Sequence, residues 1–241
     1  MAKRQLLLIS SSRVHGFDFL EHTKQAIDDL LQKNNVKTVL FIPYALRDHD
    51  DYTKTVSKPL NKWGYNVNSI HTSSNPVDAV NNAEAIFIGG GNTFVLLKTL
   101  IEKNLVNSIR KRVLEFGVPY MGSSAGTNVA TRSIHTTNDM PVVYPPSFDS
   151  LNLVPFNINP HYIEKEVSTH KGESRDQRIH EFIDYNNRVV IGLREGTSLL
   201  VQGDCVKLVG DKSAKLFLTN HDTQEYEPGS DLSFLIHDAE K

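Results

Sequence analysis

At 241 residues, with a formal net charge of -2 and a pI of about 6.5, the chain can bury a sizeable core, and it lacks the clustered Lys and Arg that a nucleic-acid or anionic-membrane surface needs. Its one cysteine, Cys205, cannot close an intramolecular disulfide, so nothing calls for an oxidising compartment. The N-terminal residues run straight into an apolar stretch too short for a signal sequence, and no segment approaches a membrane span, so a cytosolic protein is expected.

The first half alternates strand-like and helix-like segments. Residues 5–10 and 36–44 are compact apolar runs of the buried parallel type, separated by an amphipathic stretch over 17–33, which makes a βαβ unit. A second helix is predicted over 51–63, a third strand over 65–71, a short helix opening on proline over 76–83 and a fourth strand over 85–88. This is an α/β pattern, in which a mostly parallel sheet is flanked by helices.

Gly89-Gly90-Gly91-Asn92-Thr93 follows the fourth strand and precedes a helical pattern. Glycines at that point let backbone amides face a ligand beyond the carboxyl end of the sheet. Phosphate binding is one use, but no Gly-Lys-Ser/Thr follows, and Phe94 fills the last glycine slot of a dinucleotide fingerprint. The other use is an oxyanion hole, with Gly90 and Gly91 as second donors beside a nucleophile from the next unit. A turn chosen only for tightness is the structural alternative.

That next unit is Gly117-Val118-Pro119-Tyr120-Met121-Gly122-Ser123-Ser124-Ala125-Gly126-Thr127-Asn128, an apolar run ending in Gly-x-Ser-x-Gly. It reads as strand, tight turn and helix start, with Ser124 at the apex and its neighbour Ser123 excluded by spacing. The Ala125 N–H, first in the helix and without an internal partner, faces whatever the Ser124 hydroxyl attacks. A serine nucleophile needs a base that is neutral near pH 7, which histidine is. Among ten histidines, His22, His49 and His180 read as solvated, whereas His161 ends an apolar run in a turn fixed by Pro160. Two acids can orient it: Asp139, in the proline-punctuated loop after the nucleophile, and Glu195, at a strand end beside Gly196. Ser174 and Gln177 have capping-box spacing, so Arg175 falls in the first turn of a helix, against the dipole. Convergence of Arg175 and the free helix amides on an anion would account for that placement, and a solvated helix start is the alternative. Strand-like runs then follow at 189–193, 198–202, 206–209 and 215–218, so the C-terminal third is β-rich. With no repeat, linker or metal-ligand cluster, a single domain over 1–241 is expected.

Five of these segments, in order, resemble the peptidase E family of α-aspartyl dipeptidases (serine peptidase family S51), in particular its animal members: Ile88 to Phe94, Gly122 to Asn128, Thr136 to Pro141, Ile158 to His161, and His170 to Arg175. The resemblance runs over essentially the whole chain. It implies a three-layer fold similar to class I glutamine amidotransferases, with serine in place of their cysteine, and cleavage of dipeptides after an N-terminal aspartate. By motif, Ser124 corresponds to the family nucleophile, His161 to its base, and Arg175 to the residue that holds the aspartyl carboxylate, with Asn92 and Thr93 as substrate-binding neighbours. Asp139 and Glu195 both correspond to acids put forward for the triad, and the resemblance does not choose between them. Ser123 and Ser174 depart from an aromatic residue in bacterial members and from the usual threonine, changes that bear on pocket width.

The implied reaction is acyl transfer through Ser124, with the Ala125 and Gly89–Gly91 amides on the oxyanion and no metal or cofactor. The expected partners are small dipeptides, with neither nucleic acid nor membrane; a homodimer is left open. Two other classes remain. An α/β-hydrolase esterase would take a late histidine, for which His221 and His237 are the candidates, and a non-catalytic sensor of acidic metabolites would keep Arg175 without a nucleophile.

Overall fold

The computed structural model describes residues 2–164 and 172–237. In chain order, the first half comprises β1 (Gln5–Ile9), α1 (Lys24–Lys33), β2 (Thr38–Ile42), α2 (His49–Lys62), β3 (Asn66–Ser69), α3 (Pro76–Asn81), β4 (Ala85–Ile88), α4 (Thr93–Glu102), α5 (Leu105–Leu114), β5 (Tyr120–Ser123) and α6 (Ala125–Ala130). The rest comprises β6 (Asn157–Pro160), α7 (Arg175–Asn186), β7 (Val190–Leu193), β8 (Thr197–Gln202), β9 (Cys205–Gly210), β10 (Ala214–Phe217), β11 (Gln224–Tyr226) and α8 (Phe234–His237).

The larger sheet has the order β3-β2-β4-β5-β1-β8-β9, parallel from β3 to β1 and closed by the antiparallel pair β8 and β9. Its central strands β4, β5 and β1 are largely apolar because both faces are covered. Leu6 and Leu8 of β1 join one core with residues of α4 and α5, while Leu7 and Ile9 join another with residues of α1 and α2. β1 and β2 share this sheet but do not touch: β4 and β5 lie between them. A smaller sheet, β11-β10-β7-β6, packs its strands partly into the first of those cores.

Local chemistry explains most element starts. Asp48 accepts the Asp51 N–H, so α2 begins two residues before its predicted start, and Asn75 caps α3 ahead of Pro76. The first helix begins later than predicted: residues 11–20 stay irregular, Leu20 is left-handed (φ 63), and α1 starts only at Lys24. α5 was not anticipated; its Leu105, Ile109 and Val113 form a buried i, i+4, i+8 stripe. β6, read from sequence as turn, is a fully buried strand. Its Asn-Ile-Asn-Pro sequence has little strand propensity, and pairing with β7 overrides it. Side-chain amides complete the pairing: Asn157 Nδ2 donates to Ser133 O at 2.8 Å, Asn159 Nδ2 to Thr136 O at 2.8 Å, and Asn128 Nδ2 to Ile158 O at 3.0 Å. The histidines read as solvated are half-buried against rings, His180 on Phe217 and His49 between Tyr44 and His71. Among the described residues no helix is long and apolar enough to cross a membrane.

Candidate active site

β5 runs into α6 through Ser124, whose backbone sits at φ 54, ψ -109, a conformation costly for any residue but glycine. Two glycines make the turn fit. A Cβ on Gly122 would lie 2.5 Å from Gly126 O, and one on Gly126 would lie 2.0 Å from Ile88 O. Around them, Ser124 N–H donates to Ile9 O at 3.1 Å and Thr127 Oγ1 donates to the same oxygen at 2.6 Å. Ser123 points the other way: it is 0% exposed and its hydroxyl has no hydrogen-bond partner.

His161 follows β6 directly, and Glu195 lies two residues beyond β7. These strands pair in parallel with Pro160 opposite Leu193, so both side chains emerge at the same edge. His161 Nδ1 lies 2.7 Å from Glu195 Oε1, and Nε2 lies 2.9 Å from Ser124 Oγ. A carboxylate can only accept, so Nδ1 carries the proton and Nε2 is left to accept the serine hydroxyl. His161 also has a left-handed backbone (φ 52), which Ser10 holds: His161 N–H donates to Ser10 Oγ at 2.9 Å, and that hydroxyl donates to Leu193 O at 2.7 Å. No sequence pattern marked Ser10. It is fully buried at the end of β1, an ordinary place for a small residue.

Asp139 is placed elsewhere. Its Oδ2 accepts the Thr93 N–H at 2.7 Å, the Thr93 hydroxyl at 2.6 Å and the Thr137 hydroxyl at 3.1 Å, so it closes the start of α4 and does not touch His161. Asn92 and Thr93 are likewise occupied: Asn92 Oδ1 caps α4 through Phe94 N and Val95 N, its Nδ2 donates to Met140 O, and both polar groups of Thr93 face Asp139. The polar groups of these two residues are thus committed to the start of α4 and its contact with the loop that carries Asp139 and Met140.

The glycine run lies against Ser124, with Gly90 close enough that an added Cβ would lie 3.0 Å from Ser124 Cβ. Tyr52 stands beneath it. Burial pushes the Tyr52 phenol up to about 12, while the Gly90 backbone N–H and the charge of Arg13 pull it down. Among the described residues, Ala125 N–H and Gly91 N–H have no acceptor.

Arg175 is the first residue of α7, capped by the reciprocal Ser174–Gln177 box. His170 and Lys171 of the same motif lie outside the described residues. Its neighbour Asp176 anchors the helix start, accepting from Tyr162 Oη at 2.6 Å and Lys215 Nζ at 2.9 Å. Arg175 has no ion-pair or hydrogen-bond partner among the described residues. Burial and then the like charge of Arg178 push its guanidinium below the ordinary value, and Asp139 pulls it back. A half-buried arginine without a hydrogen-bonded or ion-pair partner suits an anionic ligand. Neither late histidine belongs here: His237 is in α8, and His221 follows β10 beside Asn220 and Asp222. Among the described residues no group of three or more His, Cys, Asp or Glu side chains is placed to hold a metal ion.

The profile of peptidase family S51 matches residues 6–209. The chain belongs to this family. It is 59% identical over 234 residues to a probable alpha-aspartyl dipeptidase of Drosophila melanogaster, covering 97% of this chain and 98% of that one. A peptidase E of Streptomyces coelicolor is 46% identical over 232 residues, covering 96% and 94%. Among solved structures, a putative peptidase E of Listeria monocytogenes superposes with a TM-score of 0.66 at 25% identity (86% of this chain, 98% of that one). A peptidase from an acI-B1 actinobacterium superposes with a TM-score of 0.73 at 20% identity (97% and 98%), a likeness of fold. This S51 chain is therefore a peptidase, and it shares the overall fold of these peptidase structures.

Proposed function

We propose that this peptidase is a cytosolic, single-domain serine dipeptidase that hydrolyses Asp-Xaa through an acyl-enzyme on Ser124. The observation that carries the reading is the continuous relay from Ser124 Oγ through the His161 ring to Glu195, at 2.9 and 2.7 Å. In it, His161 takes the serine proton as Ser124 attacks the scissile carbonyl and returns it to the leaving amine; Glu195 holds the ring in the tautomer this needs. Charge on the carbonyl oxygen would fall to the unengaged N–H groups of Ala125 and Gly91. Water then releases the aspartyl group by the same steps, and no metal or cofactor enters.

Arg175 supports aspartate as the residue acylated. Aspartate and asparagine have nearly the same shape, so charge must separate them, and an unpaired, half-buried guanidinium does so. The name of the Drosophila relative points the same way. The test is turnover of Asp-Leu against Asn-Leu, Glu-Leu and Leu-Asp. Asp-Leu is expected to lead, and Arg175→Met is expected to lower kcat/KM for Asp-Leu by roughly 30- to several-thousand-fold while changing Asn-Leu little. An Arg175→Met enzyme that keeps the wild-type preference would refute the aspartate assignment.

A further inference from the structure

Beside Ser124 opens a cleft of about 770 Å³ that Arg175 and Asp139 do not line. One wall is the irregular segment after β1, carrying Arg13 and Phe19; the other is the segment after β2, carrying Leu46 and Arg47; Ser124 and His161 lie at its base. It is therefore not the place where the aspartyl side chain would meet Arg175. If the scissile carbonyl sits at Ser124, this cleft is where the departing amino acid lies.

Its charges are unusual for an open cleft. Arg13 and Arg47 have no ion-pair partner among the described residues. Of the three acids that line it, Glu195 is engaged by His161 at 2.7 Å, and Asp48 and Asp51 belong to the start of α2, where Asp48 Oδ1 accepts the Asp51 N–H at 2.9 Å; none of them pairs with an arginine. Arg13 is also oriented. Its guanidinium carbon lies 5.4 Å from the centroid of the Phe19 ring, a cation–π contact that restricts where the fork points. Its charge is felt at Tyr52, the residue under the Gly89–Gly90 turn that touches Ser124.

In a dipeptide the leaving residue ends in a free carboxylate one residue, about 3.8 Å of chain, past the acylated one. In a longer peptide that position holds a neutral amide. We propose that Arg13, assisted by Arg47, binds the terminal carboxylate of the leaving residue, with Phe19 and Leu46 against its side chain, so that the cleft selects dipeptides with an apolar second residue. This rests on the aspartyl dipeptidase reading and adds the recognition of the other half of the substrate.

The test compares Asp-Leu with Asp-Leu amide, using the ratio of their kcat/KM values within each enzyme so that any general loss of activity cancels. The wild type is expected to favour the free acid by about 10- to 100-fold, the range of one charge-assisted hydrogen-bonded contact. Arg13→Met should bring the ratio to within about threefold of one, Arg13→Lys should hold an intermediate ratio because it keeps the charge without the fork, and Arg47→Met should lower it less than Arg13→Met. A wild-type ratio near one, or an Arg13→Met ratio equal to the wild type's, overturns the assignment while leaving the aspartyl reading intact, since both substrates are still cleaved. Failure of the wild-type enzyme to cleave either substrate removes the aspartyl reading and this one together.

Discussion

The turn that carries Ser124 and the edge that carries His161 and Glu195 meet within hydrogen-bond distance, yet they are built differently. The turn is largely local: Gly122, Gly126 and Tyr120, whose hydroxyl donates to Gly126 O at 2.6 Å, lie within a few residues of Ser124, and close backbone approach, including that of Gly126 to Ile88 O of β4, leaves the loop one shape. The edge is assembled from afar. His161 and Glu195 are 34 residues apart, belong to neighbouring strands of the smaller sheet, and are joined to the larger one through Ser10 at the end of β1. The last residues of β1 thus serve both halves, Ile9 O taking the Ser124 N–H and Ser10 the His161 N–H. A site of this kind is rigid at Ser124 and depends on sheet-to-sheet alignment at His161.

The largest effect should come from the local half. Ser124→Ala is expected to reduce kcat on the order of a million-fold. Ser123→Ala, which removes a buried hydroxyl without a partner, should leave turnover near wild type and stability unchanged or slightly raised. Comparable residual activity in the two variants would move the nucleophile off the apex.

On the assembled half, Glu195→Gln should cost about 10⁴ in kcat, because the amide can turn its NH2 to Nδ1 and favour the wrong tautomer, and it no longer offsets the charge of the imidazolium. Asp139→Asn should cost far less turnover and instead lower stability by about 1 kcal/mol through the weakened start of α4. Stopped assays and urea unfolding on the same two variants separate the roles; the reverse order in kcat would hand the orienting role to Asp139.

Ser10→Ala tests the joint. It removes the acceptor of the His161 N–H and one link between the sheets, worth about 1–2 kcal/mol, and should lower kcat by roughly tenfold with little change in KM. A loss seen in KM alone would mean that Ser10 shapes the pocket and does not align the base.

The smallest effect concerns the start of α7. Burial would raise the Asp176 carboxyl, but the hydrogen bonds from Tyr162 and Lys215 outweigh it and hold the group below its ordinary 3.8. A lowered folded value means this stabilisation is present above about pH 4 and lost as pH falls through the folded value. Being partly exposed, the group should contribute under about 1 kcal/mol. Urea midpoints measured from pH 6 down to 3 should fall less steeply for Asp176→Asn than for the wild type; parallel slopes would exclude Asp176 as a source of acid sensitivity.

What sequence determined by itself was the chemistry that short range dictates. The α/β alternation, the strand–turn–helix around Ser124 and the box at Ser174 could all be read from neighbouring residues, because steric fit and capping act over three to six positions. Sequence also narrowed the histidines to His161 and the acids to two. Only the tertiary structure decided between the acids, since Asp139 and Glu195 are both plausible polar positions until parallel pairing of β6 with β7 sets one beside the imidazole and the start of α4 claims the other. It alone gave the strand order, with β1 two strands away from β2, and made a strand of Asn157–Pro160 against its own propensity. Ser10 and the cleft at Arg13 belong to the same class: they matter through contacts 151 and more residues away or across facing loops, and such contacts leave no period or spacing in the chain.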